Sequence, residues 1–113
     1  MAEEIILEAL NKVKDYLLVK VPPAVRNEIG FMTMAKDNAI IIAEQRPRYN
    51  DPSKLTTREF AKVVLLKDGT WKLEWKRGST GKWTKYDPER AKHARIEDCI
   101  KEIDQDFHGC FWG

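Results

Sequence analysis

The chain has 113 residues, of which 42% are hydrophobic and 34% charged, with a formal net charge of +2. That length suits one domain, and the composition supplies apolar material for a single core. The charge density, and the absence of any run near the roughly 18 apolar residues a bilayer demands, exclude a helical membrane protein.

Charge is unevenly spread. From Glu44 to Arg90 there are 12 Lys/Arg and 7 Asp/Glu, so the middle is basic while the two ends are acidic. A basic middle attracts polyanions, or forms the solvated outer face of a sheet. The opening Met1-Ala2-Glu3-Glu4 carries acids where a secretion signal has basic residues. A cytoplasmic location with no membrane partner is expected, and in that setting Cys99 and Cys110 are expected as reduced thiols.

Residues 3–19 read as an amphipathic helix. Ile6, Leu10, Val13 and Leu17 form its stripe, with Ile5, Ala9 and Tyr16 beside them. Glu3 and Glu4 suit the positive end of the helix dipole, and Pro22-Pro23 stops the helix. A hairpin follows, with strands over 28–34 and 39–45 joined by Asp37-Asn38. Its second strand, Ala39-Ile40-Ile41-Ile42-Ala43, is apolar throughout and belongs in the middle of a sheet. Arg46 to Ser53, with Pro47, Asn50, Asp51 and Pro52, reads as a loop. Strands over 59–67 and 70–77 flank Asp68-Gly69, a type I′ turn signal. In the second of them Trp71, Leu73 and Trp75 alternate with Lys72, Glu74 and Lys76. Gly78-Ser79-Thr80-Gly81 turns the chain into a fifth strand over 82–86. The last helix covers roughly 95–106 with the stripe Ile96, Cys99, Ile100, Ile103 and Phe107. Gly109 suits a helix stop, and Phe111 and Trp112 are expected to dock on the body of the domain.

These elements sum to one α+β domain over residues 1–113. It has an N-terminal helix, an antiparallel meander of about five strands, and a C-terminal helix packed on one face.

The ordered set Pro22-Pro23-x-Val25-Arg26, Arg46-Pro47-Arg48-Tyr49-x-Asp51-Pro52, Trp71-x-Leu73-x-Trp75, Trp83-x-x-Tyr86-Asp87 and His108-Gly109-Cys110-Phe111-Trp112-Gly113 spans nearly the whole chain. It resembles a family of short bacterial proteins, the domain of unknown function DUF3024. The resemblance implies a bacterial origin and a compact stand-alone domain. It supplies no activity, cofactor or catalytic residue. The Lys/Arg-rich stretch from Glu89 to Ala94 departs from the family pattern and could extend the last helix backwards.

Candidate ligand-binding residues are Arg46, Arg48 and Tyr49 in the loop, and Lys72, Lys76, Arg77, Lys82 and Lys85 on the strands. A guanidinium fork grips phosphate or carboxylate, and a tyrosine ring stacks on a base. The competing reading pairs Arg46 and Arg48 with the acids of the last helix, Glu97, Asp98, Glu102, Asp104 and Asp106, and packs Tyr49 beneath them. Exposed, Trp71, Trp75 and Trp83 would make a stacking platform. A small domain's need for bulky core residues favours their burial, with the lysines outward.

No metal is expected, because Cys99, Asp104, Asp106, His108 and Cys110 match no zinc spacing. His108 reads instead as a hydrogen-bonding residue that fixes the terminal turn. Gly78-Ser79-Thr80-Gly81-Lys82 is half a phosphate loop. Lys76 stands where its first glycine belongs, Trp83 replaces its Ser/Thr, and it joins two strands. No cofactor and no catalytic nucleophile are marked, and His93 lies in a charged segment. The residues point to a non-enzymatic binding or accessory module for nucleic acid or another polyanion. A protein-interaction or homodimerisation domain is the alternative, and a small enzyme ranks third.

Overall fold

The computed structural model describes residues 2–20, 30–48, 50–51, 53–77, 81–87, 90–106 and 108–111. The expectations for Pro22-Pro23, Tyr49, the Gly78–Thr80 turn, Phe107 and Trp112 lie outside the described residues.

Two helices and one antiparallel sheet share a core. Helix α1 runs Ala2–Lys20 and α2 runs Ile96–Gln105. The strands are β1 Gly30–Lys36, β2 Ala39–Pro47, β3 Leu55–Leu65, β4 Trp71–Lys76, β5 Trp83–Lys85 and β6 Lys92–His93. Strands β1 to β5 form a meander in chain order, and β6 pairs with β4 beside β5. The α+β meander read from the sequence is the observed fold. Of the Glu89–Ala94 stretch, residues 90–94 are described and do not lengthen the last helix. They supply β6, which sets His93 opposite Trp71. The Leu73 N–H donates to Ala91 O at 2.7 Å, and Leu73 O accepts from the Tyr86 N–H at 3.1 Å, so one β4 residue holds both segments.

Both helices lie on the same face of the sheet. From α1, Ile6, Ala9, Val13 and Leu17 are buried, and from α2, Ile96, Cys99 and Ile103. They meet Ile40, Ile42, Ala61, Val63, Leu73 and Trp71 from the sheet. The α1 stripe is rotated slightly from the expected one, since Ala9 is buried, Leu10 only partly so, and Ile5 is exposed. Polar contacts join the helix pair along its rim. The Tyr16 hydroxyl donates to Asp104 Oδ1 at 3.0 Å, Lys20 Nζ lies 3.2 Å from the same oxygen, and Lys12 Nζ lies 3.4 Å from Glu97 Oε1.

The turns differ from the sequence reading in instructive ways. Leu65 pairs with Trp71, and the Gly69 N–H donates to Leu66 O at 3.0 Å. Only Gly69 of the pair takes a positive φ, +84°, so the loop is a type I turn closed by a left-handed glycine, not type I′. Asp68 holds it by accepting from the Thr70 N–H at 3.0 Å and from the Thr70 hydroxyl. Those bonds, with Lys92 nearby, hold the Asp68 carboxyl down at about 2. At the end of α2, Asp106 and not Gly109 takes the left-handed stop, with φ 47°, its N–H donating to Glu102 O at 3.0 Å. Its Oδ1 then accepts from the Phe111 N–H at 3.0 Å. That bond folds the terminal turn back and drives the Phe111 ring fully into the core against Tyr86, with centroids 5.2 Å apart.

A side chain so enclosed makes the terminal turn part of the fold. Phe111→Ala should cost about 3–5 kcal/mol, read as a lowered urea midpoint with an unchanged slope. A loss below about 1 kcal/mol would mean that the turn is an appendage.

Candidate functional site

The first element of the site is a backbone irregularity. Between Ile42 and Ala43 the partner on β3 jumps from Ala61 to Glu59, leaving Phe60 as an extra, bulged residue. The bulge lets Phe60 and Ala61 both sink into the core. It also resets alternation beyond that point, so that Glu44 on β2 faces Arg58 on β3.

Glu44 is the one buried charged residue among those described, 7% exposed. Its two oxygens each meet a guanidinium. Arg58 Nε donates to Oε1 at 3.0 Å, and Arg46 Nη2 lies 3.5 Å from Oε2. Arg58 Nη2 reaches on to the Phe111 carbonyl at 3.1 Å, and its guanidinium lies 5.3 Å from the centre of the Phe60 ring. Arg48 has no ion pair among the described residues. Its backbone ties the following turn, the N–H donating to Lys54 O at 2.8 Å and the carbonyl accepting from the Asp51 N–H at 3.3 Å. Arg46, Arg48 and Arg58 line one open cleft of about 460 Å³ with Glu44, Asn50 and Thr56. Three arginines line that cleft with one glutamate, which Arg46 and Arg58 meet, so its lining residues carry a formal excess of two positive charges.

A second cleft, of about 500 Å³, adjoins the first through Arg58 and is lined by Trp75, Lys76, Arg77, His108 and Cys110. Both clefts open at the sheet end where β2 stops and β3 begins, and where β4 hands over to β5. Lys76 Nζ lies 2.7 Å from Glu59 Oε1 at the lip. Arg77 has no ion pair among the described residues.

Of the eight residues singled out in the sequence, Tyr49 lies outside the described residues and the other seven divide. Arg46, Arg48, Lys76, Arg77 and Lys82 gather at this end of the sheet. Lys72 and Lys85 lie on the open face, where Lys72 Nζ is 3.5 Å from Glu74 Oε2 and Lys85 stands opposite Glu74. The competing pairing of Arg46 with the acids of the last helix does not occur; Glu44 takes Arg46 instead. Two residues were missed. Glu44 ended an apolar strand without drawing notice, and Arg58 fell just outside a strand assumed to begin at residue 59. Continuing the regular β2–β3 register would set Glu44 opposite Glu59; only the bulge brings Arg58 there.

The tryptophans divide as well. Trp71 is buried and Trp75 packs partly against the core, as expected. Trp83 does not. It stands opposite Lys76, on the face the helices leave open, with Lys76 Nζ 5.5 Å and Lys62 Nζ 5.7 Å from its ring centroid. The strand begins at Trp83, so the parity that carried Trp71 and Trp75 inward does not carry over to it.

Among the described residues no three His, Cys, Asp or Glu side chains converge as a metal ion would require. No described helix is long and apolar enough to cross a membrane. His108 Nε2 lies 2.8 Å from Asp87 Oδ2, and this pairing fixes the terminal turn. The Cys110 thiol points to the His108 carbonyl at 3.9 Å and not to its imidazole. Burial, with Asp106 adding, pushes that thiol up from its ordinary value, so it is not an activated nucleophile.

The family model for the domain of unknown function DUF3024 matches residues 2–113. The chain belongs to the DUF3024 family. No curated protein and no solved structure matches it significantly. In this DUF3024 chain the Arg46-Pro47-Arg48 run and the terminal His108–Phe111 turn, far apart in sequence, meet through Arg58.

The thiols give a check on these environments. Burial pushes Cys99 up to about 12, with Asp98 and Glu102 adding. A raised thiol releases its proton only at higher pH, so the thiolate fraction near neutrality is small for both cysteines. Iodoacetamide at pH 7.5 should leave Cys99 unmodified and Cys110 slow in the folded protein, with both labelled once denatured. Rapid labelling of Cys110 at neutral pH would contradict the geometry.

Proposed function

We propose that this domain is a non-enzymatic binding module whose basic sheet end holds a phosphate-rich polyanion. The observation that carries the reading is the set of three guanidiniums, Arg46, Arg48 and Arg58, lining one cleft with only Glu44 to offset them. Glu44 supports it by pinning two of the forks in place, so little side-chain entropy remains to be lost when an anion arrives. Arg77 and Lys76 extend the positive surface into the adjoining cleft. Tyr49 belongs to the same proposal by its place in the chain. Lys72 and Lys85 are secondary, because Glu74 lies between them. A bacterial cytoplasm, rich in nucleic acid, is the setting that this reading takes.

Binding to short oligonucleotides and to inorganic polyphosphate should weaken steeply as salt rises. Arg46→Ala with Arg48→Ala should lower the slope of log K against log salt by about 2, one for each lost phosphate contact. Arg58 is unsuited to this test, since it also braces Glu44 and Phe111. No binding at low salt, or binding indifferent to salt, would reject the proposal.

A second reading, self-association, is favoured by Met32 and Met34. Both are 37% exposed on β1, the first strand of the meander, on the face that the helices leave open. Sedimentation at high protein concentration should then show a dimer that Met34→Lys disrupts. A strict monomer would remove this reading.

A further inference from the structure

We infer that the polyanion is a single-stranded nucleic acid, one of whose bases stacks on Trp83. This rests on the polyanion reading above and deepens it.

Three observations carry it. The first is the placement of Trp83. Register sets the ring on the water-facing side of the sheet, partly exposed, among Lys62, Lys76 and Lys85. The indole is not part of the core cluster, and it stands on the same side of the sheet as the charged Lys76 and Lys85. The second is its surroundings. With ammoniums 5.5 Å and 5.7 Å from its centroid, the ring is a flat π surface rimmed by cations. That combination holds a base by stacking and its neighbouring phosphates by charge. On binding, Lys62 and Lys76 exchange the ring for backbone phosphates.

The third observation is continuity. Lys76 contacts Trp83 and also lines the cleft of Arg77 and Arg58, and Arg58 lines the next cleft with Arg46 and Arg48. Cationic side chains, with Glu59 the one carboxylate among the residues lining the linking cleft, thus lead from the indole to the three-arginine cleft, a track along which one phosphate chain can run. Arginines and lysines alone accept any polyanion. The ring adds discrimination, because a duplex keeps its bases stacked on each other and a single strand can splay one out.

Fluorescence anisotropy of labelled oligothymidine, competed by its duplex with oligoadenosine and by inorganic polyphosphate, tests the inference. The wild-type protein should prefer the single strand. Trp83→Ala should lower oligothymidine affinity about tenfold and leave polyphosphate within about twofold. Trp83→Phe, which keeps a ring, should fall less, and it decides the matter on the same comparison if the alanine variant does not fold. Equal affinity for single strand and duplex overturns the inference and leaves the polyanion reading standing. So does a Trp83 variant that loses nothing, or one that loses both ligands alike. Failure of the wild-type protein to bind either oligonucleotide or polyphosphate overturns that reading and this one with it.

Discussion

Two helices of 19 and 10 residues shield one face of a six-stranded sheet, and the opposite face has to meet water. The strands are therefore bound to strict alternation: a residue that faces Ile40 and Leu73 is inside, and its neighbour is outside. Lysines and glutamates on β3 and β4 satisfy the outer requirement by pairing, across strands for Lys62 with Glu74 and Lys76 with Glu59, and along β4 for Lys72 with Glu74. Exposed ion pairs of this kind add little stability. On β3, β4 and β5 that face still carries four lysines, Lys62, Lys72, Lys76 and Lys85, against Glu59 and Glu74, so a positive balance remains and joins the cations at the sheet end.

The bulge at Phe60 breaks that constraint at one place, and the candidate site lies where it breaks. Glu44 already follows Ile40 and Ile42 inward on β2; the extra residue on β3 shifts the parity of the β3 residues before it and sets Arg58, in place of Glu59, opposite that carboxylate. A carboxylate so enclosed is costly unless it is paired, and two guanidiniums meet that requirement. Arg58 then serves three masters: the Glu44 carboxylate, the Phe60 ring and the Phe111 carbonyl. The fold and the basic cleft are consequently not separable at this residue, whereas Arg46 and Arg48 stand at the rim.

Much of the architecture was legible from periodicity. The β-branched run of β2 announced a central strand, and the stripe of α2 announced its buried face at Ile96, Cys99 and Ile103. The errors have local causes. Pro47 suggested that a loop began at Arg46, yet β2 includes both, and Pro47 sits at its end, past Gln45 where the pairing with β1 stops, so one side of the strand is an edge there. The polar stretch Thr56-Thr57-Arg58 carries no hydrophobic alternation, so its strand character comes only from its partner β2. A bulge leaves no mark in single-sequence patterns, because it is a property of two paired strands. For that reason Glu44 and Arg58 were invisible as a pair while Arg46 and Arg48 stood out. Trp83 was misplaced because strand parity restarts at every turn. Asp106 ended α2 ahead of Gly109 because its side chain, by accepting from Phe111, compensates for a left-handed backbone that glycine would adopt freely.

The contact between α1 and α2 has a consequence for how the chain comes into being. Tyr16 and Asp104, which bond across the helix pair, are 88 residues apart in sequence. During synthesis at ~5–20 residues per second, α1 emerges roughly 4 to 18 s before the segment that must cover it. Throughout that interval Val13 and Leu17 form an oily strip without its native lid, and the meander between them can offer only part of a seat. The contact between Tyr16 and Asp104 therefore has to wait for α2. Its nascent form presents an amphipathic helix to whatever waits at the ribosomal exit.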